Sequence, residues 1–169
     1  IIHKQEMIND NQYRNIKSIN LGSASYKLTY NTKDKRGVYS FCMCPGGYVV
    51  NASSEKGRLA INGMSNYKRD SGYANSAIVV TVPNSDLGEE IFSGMNFQEK
   101  LEEKAYLLGN GNIPCQYFKD YKNNNTSLKK DNISSVKGNY SFCNLNELFP
   151  KYINTSLQEG IDNFGKKIT

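Results

Sequence analysis

Val38-Tyr-Ser-Phe-Cys-Met-Cys-Pro-Gly-Gly-Tyr-Val-Val-Asn51 is the stretch that decides the predicted fold of this chain. Val38 to Cys44 and Tyr48 to Ala52 are rich in β-branched and aromatic residues, which predicts two strands. Pro45-Gly46-Gly47 between them predicts the turn that joins the strands. Because two cysteines lie just before this turn, the stretch is also the first place to look for a functional site.

Further strand signals lie on both sides of this stretch. Tyr26 to Tyr30 alternates like a half-buried strand, and Arg58 to Ile61 follows a polar turn, so both predict continuation of an antiparallel meander. Asn62 to Ser76 is rich in Gly, Asn and Ser and predicts a loop. Ala77 to Val82 is a nearly continuous apolar run, which predicts a strand buried on both faces.

Helical patterns dominate the second half of the chain. Asn96, with Glu99 three residues later, has the spacing of a capping box and predicts a helix that ends at Gly109. Asn144 with Glu147 has the same spacing and predicts a second helix start. The last helix carries an apolar stripe made of Ile153, Leu157, Ile161, Phe164 and Ile168.

The order of these elements predicts the fold class. Strands followed by helices predict an α+β fold, in which helices pack on an antiparallel-rich mixed sheet. Residues 109–142 show little periodicity and predict irregular structure. With 169 residues the chain has the size of one domain. It starts without Met and stops inside a helical pattern, so we expect residues 1–169 to be a domain excised from a longer protein.

Composition and charge narrow the class of function. The net charge is +5, but Lys and Arg are scattered among acidic residues, so we expect no nucleic-acid partner. No apolar run approaches the roughly 20 residues of a membrane span, so we expect no membrane partner. The cysteines are too few and too unevenly spaced for a disulfide framework, which predicts a cytoplasmic location. A Cys-x-Cys pair also lacks the spacing of a zinc site, and no metal is predicted.

The two cysteines beside the turn allow two interpretations. In a regular strand, Cys42 and Cys44 would share a face with Cα atoms about 6.6 Å apart, so a disulfide between them would be strained. The N–H groups of Gly46 and Gly47 would be free of side chains, open to a planar or anionic ligand and able to lower a thiol pKa. The alternative is a plain hairpin turn with two small buried cysteines.

Polar residues after the strand predicted at Arg58 to Ile61 allow two interpretations as well. A set of hydrogen-bonding side chains is formed by Asn62, Ser65, Asn66, Arg69 and Asn75. Loops that follow strands are common places for ligand contacts, but an Asn-rich surface loop has the same composition. Glu99, Glu102 and Glu103 resemble paired catalytic carboxylates, yet on an amphipathic helix they are most simply its polar face.

Three segments together carry a resemblance to a known family: Tyr39-Ser-Phe-Cys-Met-Cys-Pro-Gly-Gly-Tyr-Val-Val50, Ile61-Asn-Gly-Met-Ser-Asn-Tyr-Lys-Arg-Asp70 and Ala74-Asn-Ser-Ala77. They resemble the uncharacterised FAD-dependent dehydrogenases described as NAD(FAD)-utilising. In that family this segment looks like the middle, substrate-side domain inserted into a flavin-binding Rossmann fold. The Gly-rich fingerprint for the pyrophosphate is absent from residues 1–169.

The resemblance implies a function, a cofactor and partners. Residues 1–169 would be the substrate-side (cap) domain of a larger flavoprotein oxidoreductase, covering the flavin and helping to bind a small-molecule substrate. FAD would be held by the remaining FAD-binding domain of the parent chain and not by this segment alone, with NAD(P)H as a candidate reductant. The alternative is a non-catalytic ligand- or partner-binding module.

The resemblance also implies a cleft that faces the flavin or the substrate. Its residues are Cys42, Cys44, Pro45, Gly46, Gly47, Asn62, Gly63, Met64, Ser65, Asn66, Arg69 and Asn75. Within this set the two cysteines are the catalytic candidates, as redox thiols or flavin neighbours.

Overall fold

A computed structural model describes residues 1–14, 16, 18, 20–128 and 133–168. Its strands are β1 (Ile2–Lys4), β2 (Thr29–Asn31), β3 (Gly37–Cys44), β4 (Gly47–Asn51), β5 (Ile61–Ser65), β6 (Tyr73–Val80), β7 (Ile113–Cys115), β8 (Val136–Lys137) and β9 (Tyr140–Phe142). Its helices are α1 (Gln5–Tyr13), α2 (Ser93–Leu108), α3 (Phe118–Lys122) and α4 (Lys151–Ile168). The fold is α+β, as predicted. Within the described residues, no helix has the length and apolar character needed to span a membrane.

The chain divides into two compact units. The first comprises Ile1–Val50, Gly63–Val80 and Thr155–Thr169, and the second comprises Asn51–Asn62 and Thr81–Asn154. All predicted site residues except Asn62 belong to the first unit. The geometry of the candidate site is therefore decided within the first unit.

A four-stranded antiparallel sheet in the order β1-β6-β3-β2 forms the base of the first unit. Along β3 the side chains alternate: Val38 and Ser40 are buried, whereas Tyr39 and Phe41 are exposed. This alternation is typical of an antiparallel sheet with one covered face. The residues that predict β3 therefore also determine which of its faces is buried.

Helix α4 covers the buried face of this sheet. Val38 has no exposed surface, and a Cβ atom added at Gly160 of α4 would collide with the Val38 side chain. The absence of a side chain at Gly160 thus allows the helix to approach the sheet closely. The predicted apolar stripe is confirmed, because Ile153, Phe164 and Ile168 are buried.

The second unit is organised around α2. Ala105 of this helix packs on Leu59 and Leu148, and β7 and β9 form a parallel pair. The Tyr121 hydroxyl donates a 2.6 Å hydrogen bond to Asn154 Oδ1. A buried polar pair of this kind stabilises the fold because both groups are satisfied.

The predicted meander is confirmed where β2 pairs with β3 and where β4 pairs with β5, but it is wrong between β3 and β4. β3 ends at Cys44 in the four-stranded sheet, whereas β4 begins at Gly47 and pairs with β5 in a different sheet. The turn at residues 45–46 is therefore a corner between two sheets and not a hairpin. The strand predicted for residues 58–61 begins only at its last residue and continues into the predicted loop, which shrinks to residues 66–72.

The burial predicted for Ala77 to Val82 is also wrong. Ala77 is exposed and Ile78 is only partly buried, while the fully buried part of β6 lies at residues 74–76. An antiparallel strand needs cover on one face only, so an apolar run does not require burial on both. The strand predicted at Tyr26 to Tyr30 is likewise shorter and later, as β2 begins at Thr29.

Some of the predicted helix ends are confirmed and one is wrong. α2 begins at Ser93, before the predicted cap Asn96, and no side chain caps it, so this prediction is wrong. Its predicted end at Gly109 is confirmed. Asn144 does act as an N-cap, because its side chain accepts the Asn146 N–H at the start of a short 3-10 helix.

The prediction of irregular structure for residues 109–142 is wrong as well. This range contains β7, α3, β8 and β9, whose lengths are only two to five residues. Elements this short are held by long-range pairing and do not extend far enough to show a sequence period.

Candidate functional site

Cys42 lies at a β-bulge in β3. The register Phe41↔Ala77 resumes at Cys44↔Asn75, so β3 has an extra residue at this point. Cys42 adopts a φ of 48°, in the left-handed region, where a side chain costs about 1–2 kcal/mol, and it is exposed. The predicted placement of both cysteines on one face of a regular strand does not hold, because the bulge breaks the alternation.

The thiol of Cys44 faces back towards the bulge. Its Sγ donates to the carbonyl oxygen of Cys42 at 3.3 Å. Burial and the charge of Cys42 raise the pKa of Cys44, and a hydrogen bond to Ser65 and the charge of Arg69 only partly oppose this. Cys44 therefore holds its proton at neutral pH, and the predicted lowering of a thiol pKa is wrong for this residue.

The turn at Pro45 and Gly46 is buried and tightly enclosed. The N–H of Gly46 donates to Gln5 Oε1 at 3.0 Å. Gly46 has a φ of +53°, and a Cβ atom there would collide with the backbone carbonyl group of Arg69. The Gly46 N–H was expected to be open to a ligand, and this prediction is wrong because the N–H is bonded to Gln5. The absence of a side chain at Gly46 instead allows close packing against the Arg69 backbone.

Gly47 and Gly63 enclose the side chain of Asn75 in the same way. An added Cβ at Gly47 would lie 2.6 Å from the Met64 carbonyl oxygen and 3.0 Å from Asn75 Nδ2, and one at Gly63 would collide with Asn75 Oδ1. Asn75 is only 3% exposed. Its Nδ2 has no hydrogen-bond partner in the described part of the chain. The two glycines therefore hold β4 and β5 against β6.

Three serine hydroxyls fix the end of β5 and the loop of residues 66–72 to neighbouring backbone. Ser65 donates to the Pro45 carbonyl at 2.8 Å, Ser71 donates to the Gly47 carbonyl at 3.0 Å, and Ser23 donates to the Arg69 carbonyl at 3.1 Å. The acceptors are backbone oxygens, so the loop backbone is fixed while its outward side chains remain accessible.

The structure brings most of the predicted site residues together. A series of pairwise contacts, several of them through backbone atoms, links Cys42, Cys44, Pro45, Gly46, Gly47, Gly63, Met64, Ser65, Arg69 and Asn75. Asn66 is exposed on the adjoining loop and bonded to Asp70 at 2.9 Å. Asn62 is exposed in β5 next to Gly63. Gln5 and Ser71 were missed, since nothing in the local sequence marks the partner of a distant backbone group.

Other titratable residues have structural partners. His3 is half-buried, and its Nε2 lies 2.8 Å from the Tyr26 hydroxyl. Glu99 and Glu103 pair with Arg58 at 3.1 and 3.5 Å, in keeping with a polar helix face. Among the described residues, no group of three or more His, Cys, Asp or Glu could hold a metal ion.

Comparison with known proteins identifies the family to which the chain belongs. A family model described as "FAD-dependent protein, C-terminal domain-like" matches residues 1–169. The chain belongs to this family. An uncharacterised protein of Clostridium beijerinckii (strain ATCC 51743 / NCIMB 8052) is 49% identical over 174 residues, which cover 99% of this chain and 33% of that protein. The chain thus spans about a third of the length of this curated relative.

Membership in this FAD-dependent family indicates that the chain is part of a flavoprotein. The coarser part of the predicted resemblance is thereby confirmed. The family description says C-terminal domain-like, so a middle position in the parent stays a prediction. The dehydrogenase activity and the use of NAD(P)H also stay predictions.

The exposed residues of this FAD-dependent domain fit part of a flavin. Cys42, Met64, Asn66 and Arg69 are exposed and offer sulfur atoms, an amide and a cation. Such groups suit contacts with an isoalloxazine ring or with a planar, anionic substrate. The Gly46 N–H, which would suit a phosphate, is already bonded to Gln5. The chemistry of these exposed residues thus suits the ring end of FAD or a substrate, and the Gly46 N–H is not available to a phosphate.

Proposed function

We propose that this domain is the substrate-side part of a FAD-dependent oxidoreductase, where it covers the flavin and helps to bind a small-molecule substrate. One observation carries the proposal: the bulge in β3 turns the Cys42 thiol outwards beside a buried glycine core. A strained, exposed residue on a rigid support is typical of functional sites. The family match supports a flavin in the parent protein.

The two cysteines have different proposed roles. Cys42 is exposed at the bulge and is the thiol that contacts the ring or the substrate. Cys44 is half-buried, keeps its proton on Sγ and donates it in a hydrogen bond to the Cys42 carbonyl. It is therefore a positioning residue that holds the bulge in its left-handed conformation.

The exposed loop supplies the proposed substrate contacts. The Arg69 backbone is fixed by Ser23 and by its close approach to Gly46, so its guanidinium extends from an anchored position. An anchored guanidinium suits a carboxylate or phosphate on the substrate. Asn66, whose backbone carbonyl accepts the Arg69 N–H at 3.2 Å, adds an amide donor and acceptor beside it.

The cofactor and location follow from the same proposal. Flavin, when bound, supplies the electron chemistry, and a reduced nicotinamide is the proposed electron donor. The remainder of the parent chain is the proposed holder of FAD. All four cysteines, each within the described residues, are free thiols, which favours a reducing, cytoplasmic location.

The decisive experiment uses the full-length parent protein that contains this chain. Its visible spectrum is recorded as purified, after addition of FAD, and after anaerobic addition of NADH or NADPH. We expect flavin absorbance that a reduced nicotinamide bleaches. A parent protein that neither carries nor takes up flavin would refute the proposal.

Cysteine variants of the same protein test the proposed thiol. We expect Cys42→Ser to slow flavin reduction roughly tenfold or to shift the flavin absorbance. Cys143→Ser is the matched control, because Cys143 lies outside the candidate site, and it should leave both unchanged. Wild-type behaviour of Cys42→Ser would dismiss the thiol role and leave the domain assignment standing.

A non-catalytic ligand- or partner-binding module is the second candidate. The burial of residues 45–47 favours it, because a turn used up in internal contacts needs no ligand to explain its glycines. It predicts that the full-length protein binds flavin or a partner with no turnover of any nicotinamide or substrate. The spectra described above separate the two candidates.

A further inference from the structure

Ser76 of β6 lies directly opposite the β-bulge. At this point of the ladder one residue of β6 faces two residues of β3, so Ser76 is opposite both Cys42 and Met43. Ser76 is only 3% exposed. Its side chain is therefore buried against the strand position at which Cys42 departs from regular geometry.

The Ser76 hydroxyl joins the two strands at the bulge. It donates to the Phe41 carbonyl oxygen of β3 at 3.3 Å and to the Ala77 carbonyl oxygen of β6 at 3.0 Å. A hydroxyl has one proton, so these two contacts form a shared, three-centre hydrogen bond. The Phe41 carbonyl belongs to the same peptide group as the Cys42 N–H, and Ser76 therefore holds the backbone next to the candidate thiol.

The orientation of this peptide group sets the conformation of Cys42. Because a peptide is planar, an anchored Phe41 oxygen also fixes the direction of the Cys42 N–H, and with it the φ of 48°. Turning the peptide over would return φ to the negative range, which residues other than glycine prefer. The left-handed strain and one hydrogen bond are similar in magnitude, so loss of the bond is sufficient to release the strain.

Two further side chains approach the Ser76 hydroxyl in sequence. The Tyr26 hydroxyl hydrogen-bonds to the Ser76 side chain, and it lies 2.8 Å from His3 Nε2. Tyr26 and His3 are half-buried, and their ring centroids are 5.4 Å apart. With Tyr26 donating to Ser76 Oγ, the single proton of Ser76 is directed to the carbonyl oxygens at the bulge.

We propose that Ser76 is a positioning residue for the Cys42 thiol. Its hydroxyl holds the peptide group between Phe41 and Cys42, and it thereby keeps Cys42 in the left-handed conformation that turns the thiol outwards. Tyr26 and His3 direct that hydroxyl. The use of the positioned thiol at a flavin or a substrate rests on the proposed function.

Chemical denaturation of Cys42 variants in two backgrounds tests the positioning. With Ser76 present, only glycine adopts the left-handed φ without strain, so the folded-to-unfolded ratio of Cys42→Gly should exceed that of Cys42→Ala about two- to fivefold. We call this factor the glycine advantage. In the Ser76→Ala background the peptide is free to turn over, so the glycine advantage should fall to one or below.

Ser40→Ala is the matched control. Ser40 is a buried serine on the same face of the sheet, and its hydroxyl accepts the Leu28 N–H at 2.8 Å. Its loss should lower stability but leave the glycine advantage unchanged. Tyr26→Phe is the second variant if Ser76→Ala does not fold, because it keeps the ring and removes only the hydroxyl that directs Ser76. It should also reduce the glycine advantage.

The full-length parent protein tests the use of the positioned thiol. We expect Ser76→Ala to slow flavin reduction by NADH or NADPH roughly three- to tenfold, which is no more than the effect of Cys42→Ser. Because Ser76 acts through Cys42, the double variant should be no slower than Cys42→Ser alone.

The outcomes distinguish the positioning from the function. If the glycine advantage persists without the Ser76 hydroxyl, or if Ser40→Ala removes it equally, the positioning is wrong and the proposed function stands. If the advantage disappears but the parent protein carries no flavin, the positioning stands and the proposed function fails. If Ser76→Ala slows flavin reduction as much in the Cys42→Ser background as in the wild type, Ser76 does not act through the thiol and the inference is overturned.

Discussion

The fold places its two pairs of neighbouring cysteines in opposite settings. Cys42 is turned outwards at a β-bulge, beside Cys44 and the buried turn. Cys115 and Cys143 lie half-buried at the ends of β7 and β9, where the Cys143 N–H donates to the Cys115 carbonyl at 3.1 Å. Burial, reinforced by the charge of Cys143, raises the pKa of Cys115 to about 12.

This difference teaches that backbone geometry, and not residue type, sets the cysteines of the candidate site apart. In the second pair Cys115 occupies an ordinary strand position at the end of β7, and Cys143 directly follows β9. The first pair includes a left-handed residue, Cys42, and it lies just before the glycines that pack against neighbouring backbone. Tests of the comparison therefore begin with the glycine support.

Gly46→Ala should have the largest effect. The new Cβ would collide with the Arg69 carbonyl group and would also force a side chain into a φ of +53°. Since backbone atoms cannot move aside cheaply, we expect the free energy of unfolding of the chain to fall by roughly 3 kcal/mol or more. Chemical denaturation measures this value.

Gly72→Ala is the matched control for that loss. Gly72 has a φ of +77° but open space around its Cα, so the variant carries the φ strain without the collision. We expect it to cost about 1–2 kcal/mol. Equal losses at both positions would show that close backbone packing contributes nothing to the support of the first cysteine pair.

The second largest expected effect is the difference in alkylation rate between the two cysteine pairs. A thiol of pKa about 12 has on the order of a thousandth of the thiolate of an ordinary cysteine at pH 8, partly offset by higher intrinsic nucleophilicity. We expect Cys115 to react roughly 100-fold more slowly in the folded chain than in denaturant. Its rate should rise about tenfold per pH unit, with no plateau until pH approaches 12.

Cys42 is the internal comparison in the same reaction, because its exposed side chain is accessible to the reagent. Peptide mass spectrometry reports both sites in each sample. If Cys115 and Cys42 are modified at the same rate in the folded chain, the contrast between the two pairs does not exist in solution.

Sequence patterns predicted the elements of the fold better than their pairing. The strand ranges of β3 and β4 and the end of α2 at Gly109 follow from local composition. The separation of β3 and β4 into different sheets does not, because it depends on the pairing of β3 with β6, which lies far along the chain. Pairing is a long-range property, and local propensity carries little information about it.

The sequence indicated which residues to consider for the candidate site, but it did not predict the contacts and backbone geometry that hold them in place. Unusual residue types identified Cys42, Gly46 and their neighbours, and the contact of Gly46 with Arg69 brings both halves of the set together. The bulge was not predictable, since an extra residue in one strand appears only against its partner. The bond from Gly46 to Gln5 was hidden for the same reason, as Gln5 carries no local signal of its partner.

The difference in free energy of unfolding between a Cys→Gly and a Cys→Ala variant should have opposite signs in the two pairs. It is the smallest of the three expected effects. Cys42→Gly and Cys42→Ala both remove the thiol, but only glycine adopts a φ of 48° without strain. The left-handed strain of about 1–2 kcal/mol exceeds the entropic cost of glycine, about 0.5–1 kcal/mol. We therefore expect Cys42→Gly to be the more stable variant by about 0.5–1 kcal/mol.

The same two substitutions at Cys115 provide the control, because this residue lies in the extended strand β7. There the entropic cost of glycine is not offset, so Cys115→Gly should be about 0.5–1 kcal/mol less stable than Cys115→Ala. Paired denaturation curves of the four variants measure both differences. If glycine is the less stable choice at both positions, the left-handed bulge is not maintained in solution, and the exposure of Cys42 needs another cause.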